Sequence, residues 1–122
     1  MALQMSTRRE GDVLIVILEG ELDIYTVAGF RERLDTVTPP PRAMVFDLSS
    51  VTLLDSSGLG ALVGVLNQAA PDGGRVGLAC PAERLRTVFR VTGLEDAFVF
   101  ADDVPGVQEA LAHPPAPPVD PQ

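Results

Sequence analysis

The chain has 122 residues, 46% of them hydrophobic and 21% charged, and 17 acids against 9 bases leave a formal net charge of -8. This is the composition of one globular domain able to bury a core without metal or disulfide, and its acidity argues against non-specific binding to nucleic acid or to anionic membranes. All nine bases are arginine, which excludes a Walker-type lysine, a Schiff base and a lysine general base; one histidine (His113) and one cysteine (Cys80) argue against a Ser-His-Asp triad, a Cys-His pair, a zinc site and an internal disulfide.

Leu3, Met5 and Thr7 alternate with polar residues, and Gly11-Asp12 separates them from the apolar run Val13 to Leu18. That pattern predicts a hairpin leading into a buried strand. After Gly20-Glu21-Leu22-Asp23, Thr26 is a candidate N-cap for a helix whose stripe is Val27, Phe30 and Leu34. Pro39-Pro40-Pro41 ends that element in an extended connector. Ala43 to Leu48 reads as the next strand, and Ser49 to Leu54 as the passage to Asp55. From Ser56 or Ser57 a helix carries Leu59, Leu62, Val63 and Leu66 on one face and ends at Asn67-Gln68.

Pro71 to Gly74 is a turn, Val76 to Cys80 a third buried strand, and Pro81 to Arg90 a helix with Gly93 as its C′ residue. Phe98 to Phe100 is a short last strand, and Asp103 and Pro105 open a last helix through Val107, Ala110 and Leu111. The order β-β-α-β-α-β-α-β-α predicts a largely parallel or mixed sheet with right-handed crossovers. Residues 1–112 are read as one domain and 113–122 as a proline-rich tail without assigned structure, with five prolines from Pro114 onward. The six-residue run Val13 to Leu18 is far short of the ~20 apolar residues a membrane helix needs, and Met1 to Glu10 has no apolar signal region. With a single cysteine, a cytoplasmic location is expected.

Leu54-Asp55-Ser56-Ser57-Gly58-Leu59-Gly60 is the segment that carries chemistry. Two hydroxyls sit where a strand gives way to a helix. There the first helical N–H groups lack partners, and the dipole favours an anion, so a phosphate would be well placed. Gly58 and Gly60 keep the surface flat for a protein that approaches the hydroxyl. A serine in this place can also be nothing more than a cap. Dinucleotide binding fails because Gly64 comes one residue late and Cys80 falls where an acid is needed; a nucleophile elbow fails because residue 54 is Leu. Asp23 and Asp55 both follow apolar strands: they form either a paired polar site beside the serine or, for Asp23, a cap of the next turn. Two carboxylates alone are weak grounds for Mg²⁺, and no cofactor or metal is expected. Cys80 reads as core and His113 as a solvated helix end.

Gly20-Glu21-Leu22-Asp23, the strand Ala43 to Leu48, Asp55-Ser56-Ser57-Gly58-Leu59-Gly60 and Val91-Thr92-Gly93-Leu94 together resemble the anti-anti-sigma factors of the STAS domain family, over about Leu3 to Leu111. The resemblance implies an α/β STAS fold: a mixed, mostly parallel sheet of about five strands, with about four helices packed chiefly on one side. It also implies a regulatory protein that is not an enzyme. Such a protein, unphosphorylated, binds an anti-sigma factor that is itself a serine kinase and so frees a sigma factor. The kinase phosphorylates the serine after the motif aspartate, here Ser56 with Ser57 the alternative, and a PP2C-type phosphatase reverses it. Asp23, Asp55, Ser57, Gly58, Leu59 and Gly60 would then form the partner surface, without direct contact to nucleic acid or membrane. The rival within the family is a scaffold with an unphosphorylated serine, of the stressosome or lipid-transport kind. A third reading, an enzyme or nucleotide binder using the glycine-rich turn, is the weakest for want of Lys, His and Cys.

Overall fold

The computed structural model describes residues 2–37 and 41–112. Pro39, Pro40, His113 and the tail from Pro114, all interpreted above from sequence, lie outside the described residues. Strand β1 (Leu3–Glu10) pairs antiparallel with β2 (Val13–Leu22) through the expected two-residue turn. Helix α1 (Val27–Asp35), β3 (Ala43–Leu54), α2 (Ser56–Ala69), a 3₁₀ turn (Ala70–Asp72), β4 (Arg75–Ala79), α3 (Glu83–Val91), β5 (Val99–Ala101) and α4 (Val104–Ala112) follow. The sheet order is β1-β2-β3-β4-β5, parallel from β2 onward.

Each crossover from β2 to β5 moves one place in the same direction. Right-handed connections therefore put α1, α2 and α3 on one face. The side-chain period of two divides the strands accordingly. Leu14, Val16, Leu18, Phe46, Leu48, Val76 and Leu78 share the main core with Phe30, Leu62, Leu85 and Phe89 of the three helices. Ile15, Val45 and Ala79 face the other way, onto Val104 and Val107 of α4. The expected four helices, chiefly on one side, are thus three on one face and one on the other.

Local signals explain the helix ends. Asp103 caps α4 by accepting from the Gly106 N–H at 2.8 Å. Helix α3 ends in a Schellman pair, Leu94 N–H to the Phe89 carbonyl at 2.8 Å and Gly93 N–H to that of Arg90 at 3.2 Å, with Gly93 at φ 75°. Cys80 is fully buried at the end of β4, and burial raises its thiol pKa above the ordinary value.

Two strands run further than their apolar cores. The strand read as Ala43 to Leu48 continues to Leu54, and β2 continues past Leu18 to Leu22. Glu19, Gly20 and Glu21 pair with Ser50, Val51 and Leu53 rather than looping out, with register shifts between Ile17 and Glu19 and between Gly20 and Glu21. Pairing of β3 with β4 stops at Asp47 and pairing of β1 with β2 reaches Gly20, so β2 and β3 project beyond the rest of the sheet as a two-stranded ribbon at residues 21–22 and 53–54.

Candidate functional site

The ribbon sets two chain ends side by side. Its last register pair is Leu22 with Leu54, both buried, and Asp23 and Asp55 are the next residues on each strand. Asp55 is extended, at φ -99° and ψ -175°, and the first turn of α2 begins after it. Its carboxylate Oδ1 accepts from the Gly58 N–H at 2.9 Å, and its carbonyl accepts from the Leu59 N–H at 2.9 Å. Its Oδ2 accepts from the Ile24 N–H at 3.2 Å, across the ribbon. The cap of α2 is therefore Asp55 and neither serine. Asp55 takes the position because ribbon pairing holds the chain extended up to Leu54, which leaves its carboxylate opposite the first free N–H groups.

Ser56 is the first helical residue and is exposed; Ser57 is second and half-buried. The N–H groups of a helix's first turn have no partners within the helix, and the positive end of the dipole lies at Ser56. A phosphate on Ser56 would meet both. Burial separates the two hydroxyls: a protein that approaches from solvent reaches Ser56 first.

The remaining expected contact residues divide sharply. Gly60 is exposed with open space around its Cα, as a flat approach requires. Gly58 and Leu59, expected at the same surface, are buried. A methyl group on Gly58 would run into the Leu22 carbonyl and side chain, so this glycine lets α2 sit against the end of β2 rather than facing a partner. Leu59 belongs to the main core. Asp55 is half-buried, held by its two hydrogen bonds.

Asp23 is 6% exposed and lies beneath the surface instead of at its edge. Its Oδ1 accepts from the N–H groups of Tyr25 at 2.9 Å and Thr26 at 3.1 Å, closing the turn that leads into α1. The alternative of a turn cap thus describes its geometry. Thr26 occupies the cap position of α1 but does not cap it. Its hydroxyl donates to the Glu21 carbonyl at 2.8 Å and accepts from the Asp23 N–H at 3.0 Å, tying the turn back to β2. No group of three or more potential metal-ligating side chains gathers among the described residues.

Ile24 and Tyr25 belong to no strand core or helical stripe that the sequence shows. They are 61% and 88% exposed, on the turn that Asp55 holds, directly beside the start of α2. Two apolar residues between Asp23 and Thr26, outside any helical stripe, were the signal available for them.

A family model described as STAS domain matches residues 4–107. The anti-sigma-B factor antagonist of Bacillus subtilis is 30% identical over 109 residues, covering 88% of this chain and all of the relative. A solved anti-sigma factor antagonist from Mycobacterium paratuberculosis superposes with a TM-score of 0.76 at 26% identity, covering 90% of this chain and 94% of that one. The Bacillus cell fate determinant SpoIIAA, solved in its phosphorylated form, shares the fold at a TM-score of 0.70 and 22% identity, over 88% of this chain and 99% of that one. The chain belongs to the STAS domain family. No helix among the described residues is long and apolar enough to cross a membrane.

Proposed function

We propose that this chain is an anti-sigma factor antagonist, a regulatory binding protein rather than an enzyme, switched by phosphorylation of Ser56. Unphosphorylated, it binds a cytoplasmic anti-sigma factor that is also a serine kinase, and the sigma factor is released. In the reverse step, Ser56 Oγ attacks the γ-phosphorus of ATP held by the kinase. ADP leaves, and the hydroxyl proton passes to the kinase's base. A PP2C-type phosphatase hydrolyses the phosphoserine and restores binding.

The observation that carries this reading is the position of Ser56: exposed, first in α2, with its helix capped independently by Asp55. Because the cap does not use the serine hydroxyl, that hydroxyl can be modified without removing the interaction that starts the helix. The names of the relatives support the same role. A phosphate adds about -1.5 to -2 charges at pH 7 at a contact surface, where desolvating it opposes binding.

The test uses wild type and Ser56→Ala as bait for a kinase, followed by incubation of each with the recovered kinase and ATP. Intact mass and site mapping should find one phosphate on wild type, at Ser56, and none on Ser56→Ala. A bound partner with no phosphate transfer favours the scaffold role. Phosphate on Ser57 moves the acceptor by one residue.

A further inference from the structure

We propose that Ile24 and Tyr25 are the apolar anchors through which the protein that acts on Ser56 docks, an inference that rests on the kinase reading above. Four large hydrophobic residues among the described ones are exposed: Ile24 at 61%, Tyr25 at 88%, Leu53 at 44% and Val91 at 75%. Three of the four stand at the projecting end of the β2–β3 ribbon, within two residues of Asp23 or Asp55. Scattered apolar residues are ordinary on a surface, whereas a cluster beside a modifiable serine marks a contact.

The turn that presents them is rigidly built. Asp23 Oδ1 holds the N–H groups of Tyr25 and Thr26, Thr26 ties back to Glu21, and Asp55 holds the Ile24 N–H. Four hydrogen bonds thus fix a turn whose two apolar side chains point into water. Besides leading the chain into α1, that arrangement pre-orders two side chains, so that docking them requires little further loss of freedom. Tyrosine is a frequent centre of binding energy because it offers large apolar area on few rotatable bonds. Asp55 joins Ile24 to the first residue of α2, so a partner that reaches Ser56 meets Ile24 beside it, and Tyr25, the next residue, extends that contact toward the groove between α1 and the start of β1.

The partner's chemistry follows from the rim. Glu21 and Asp55 stand at the two strand ends that hold the turn, and the chain carries a net charge of -8, so the matching surface is an apolar recess edged by cationic groups. A second copy of this chain does not fit: it carries a net charge of -8 and would bring the same carboxylates against each other.

The kinase recovered on the Ser56→Ala bait is titrated with wild type, Ile24→Ala, Tyr25→Ala, Tyr25→Phe and, as an exposed apolar control, Val91→Ala. Ile24→Ala and Tyr25→Ala should each weaken binding by about tenfold or more, a size usual for anchor residues. Tyr25→Phe and Val91→Ala should stay near wild type, and all five should melt together. Wild-type affinity for both alanine variants overturns the proposal while leaving Ser56 as acceptor. A concentration-dependent dimer abolished by Tyr25→Ala overturns it in favour of self-association. A kinase that needs Tyr25 but phosphorylates another residue overturns the Ser56 assignment and keeps the anchors. A bait that recovers no kinase overturns both.

Discussion

The Ile24 N–H donates to Asp55 Oδ2 at 3.2 Å while Asp55 Oδ1 accepts from Gly58 at 2.9 Å, so one carboxylate both starts α2 and fastens the turn after β2. Removing each bond separately distinguishes the two duties. Asp55→Ala loses both and should destabilise the fold by about 1–3 kcal/mol. Asp55→Asn keeps an oxygen for Gly58 but presents an amide that cannot accept from Ile24, and should lose about half as much. Urea denaturation of the three proteins measures it; equal losses for Ala and Asn would mean that the cross-ribbon bond dominates.

The two glycines of the motif should respond in opposite directions. Gly58→Ala forces a methyl into the Leu22 carbonyl and side chain, which should cost about 1–3 kcal/mol. Gly60→Ala enters open space on an exposed helix face and should gain ~0.5–1 kcal/mol. Thermal melts of the pair check this, and destabilisation by Gly60→Ala would contradict the placement of that face.

Leu62 is fully buried in the main core at the centre of α2, so Leu62→Ala should cost ~2–5 kcal/mol in the same urea experiment. Ser56→Ala, by contrast, touches an exposed position whose cap is supplied by Asp55 and should stay within ~0.5 kcal/mol of wild type. The serine's role can therefore be probed without unfolding the protein.

Burial raises the Cys80 thiol pKa. The sign follows from proton counting. Above the pH where a free thiol ionises, ~8.5, the unfolded chain holds fewer protons than the folded one, so stability falls as pH rises. Wild type should lose stability above about pH 8.5 more steeply than Cys80→Ala, compared as slopes rather than absolute values. Parallel slopes would show that the thiol does not titrate with unfolding.

The strand cores and helix stripes were legible because burial imposes a period that side chains record directly: Val13 to Leu18, Ala43 to Leu48 and the Leu59–Leu62–Leu66 face. The extension beyond Leu18 and Leu48 was not, because Glu19-Gly20-Glu21 and Ser49-Ser50 have no strand propensity of their own and are extended through pairing of Glu19, Gly20 and Glu21 with Ser50, Val51 and Leu53 and, on the other side, of Glu19 and Gly20 with Gln4 and Leu3. The same pairing decides the cap. Asp, Ser and Ser are each good caps, and only the register of Leu22 with Leu54 selects Asp55. Gly58 was legible as a close-approach residue but not in its direction, since helix phase relative to Leu22 is a tertiary fact.

Phosphorylation can weaken binding by unfolding the motif or by changing its surface. The second is expected. The helix N-terminus stabilises an added phosphate by ~0.3–1 kcal/mol, and repulsion from Asp55 offsets part of that, so the melting temperature should move little. Ser56→Asp should remain folded and bind as a partial mimic. A fall of many degrees on phosphorylation would replace the surface account with a conformational one.

The central claim, a switch at Ser56, is tested most directly by the dissociation constant of the recovered kinase for unmodified and Ser56-phosphorylated chain. An unpaired charge desolvated at the contact costs on the order of 3–5 kcal/mol, so the phosphorylated form should bind at least about a hundredfold more weakly. Equal affinity for the two forms would contradict it.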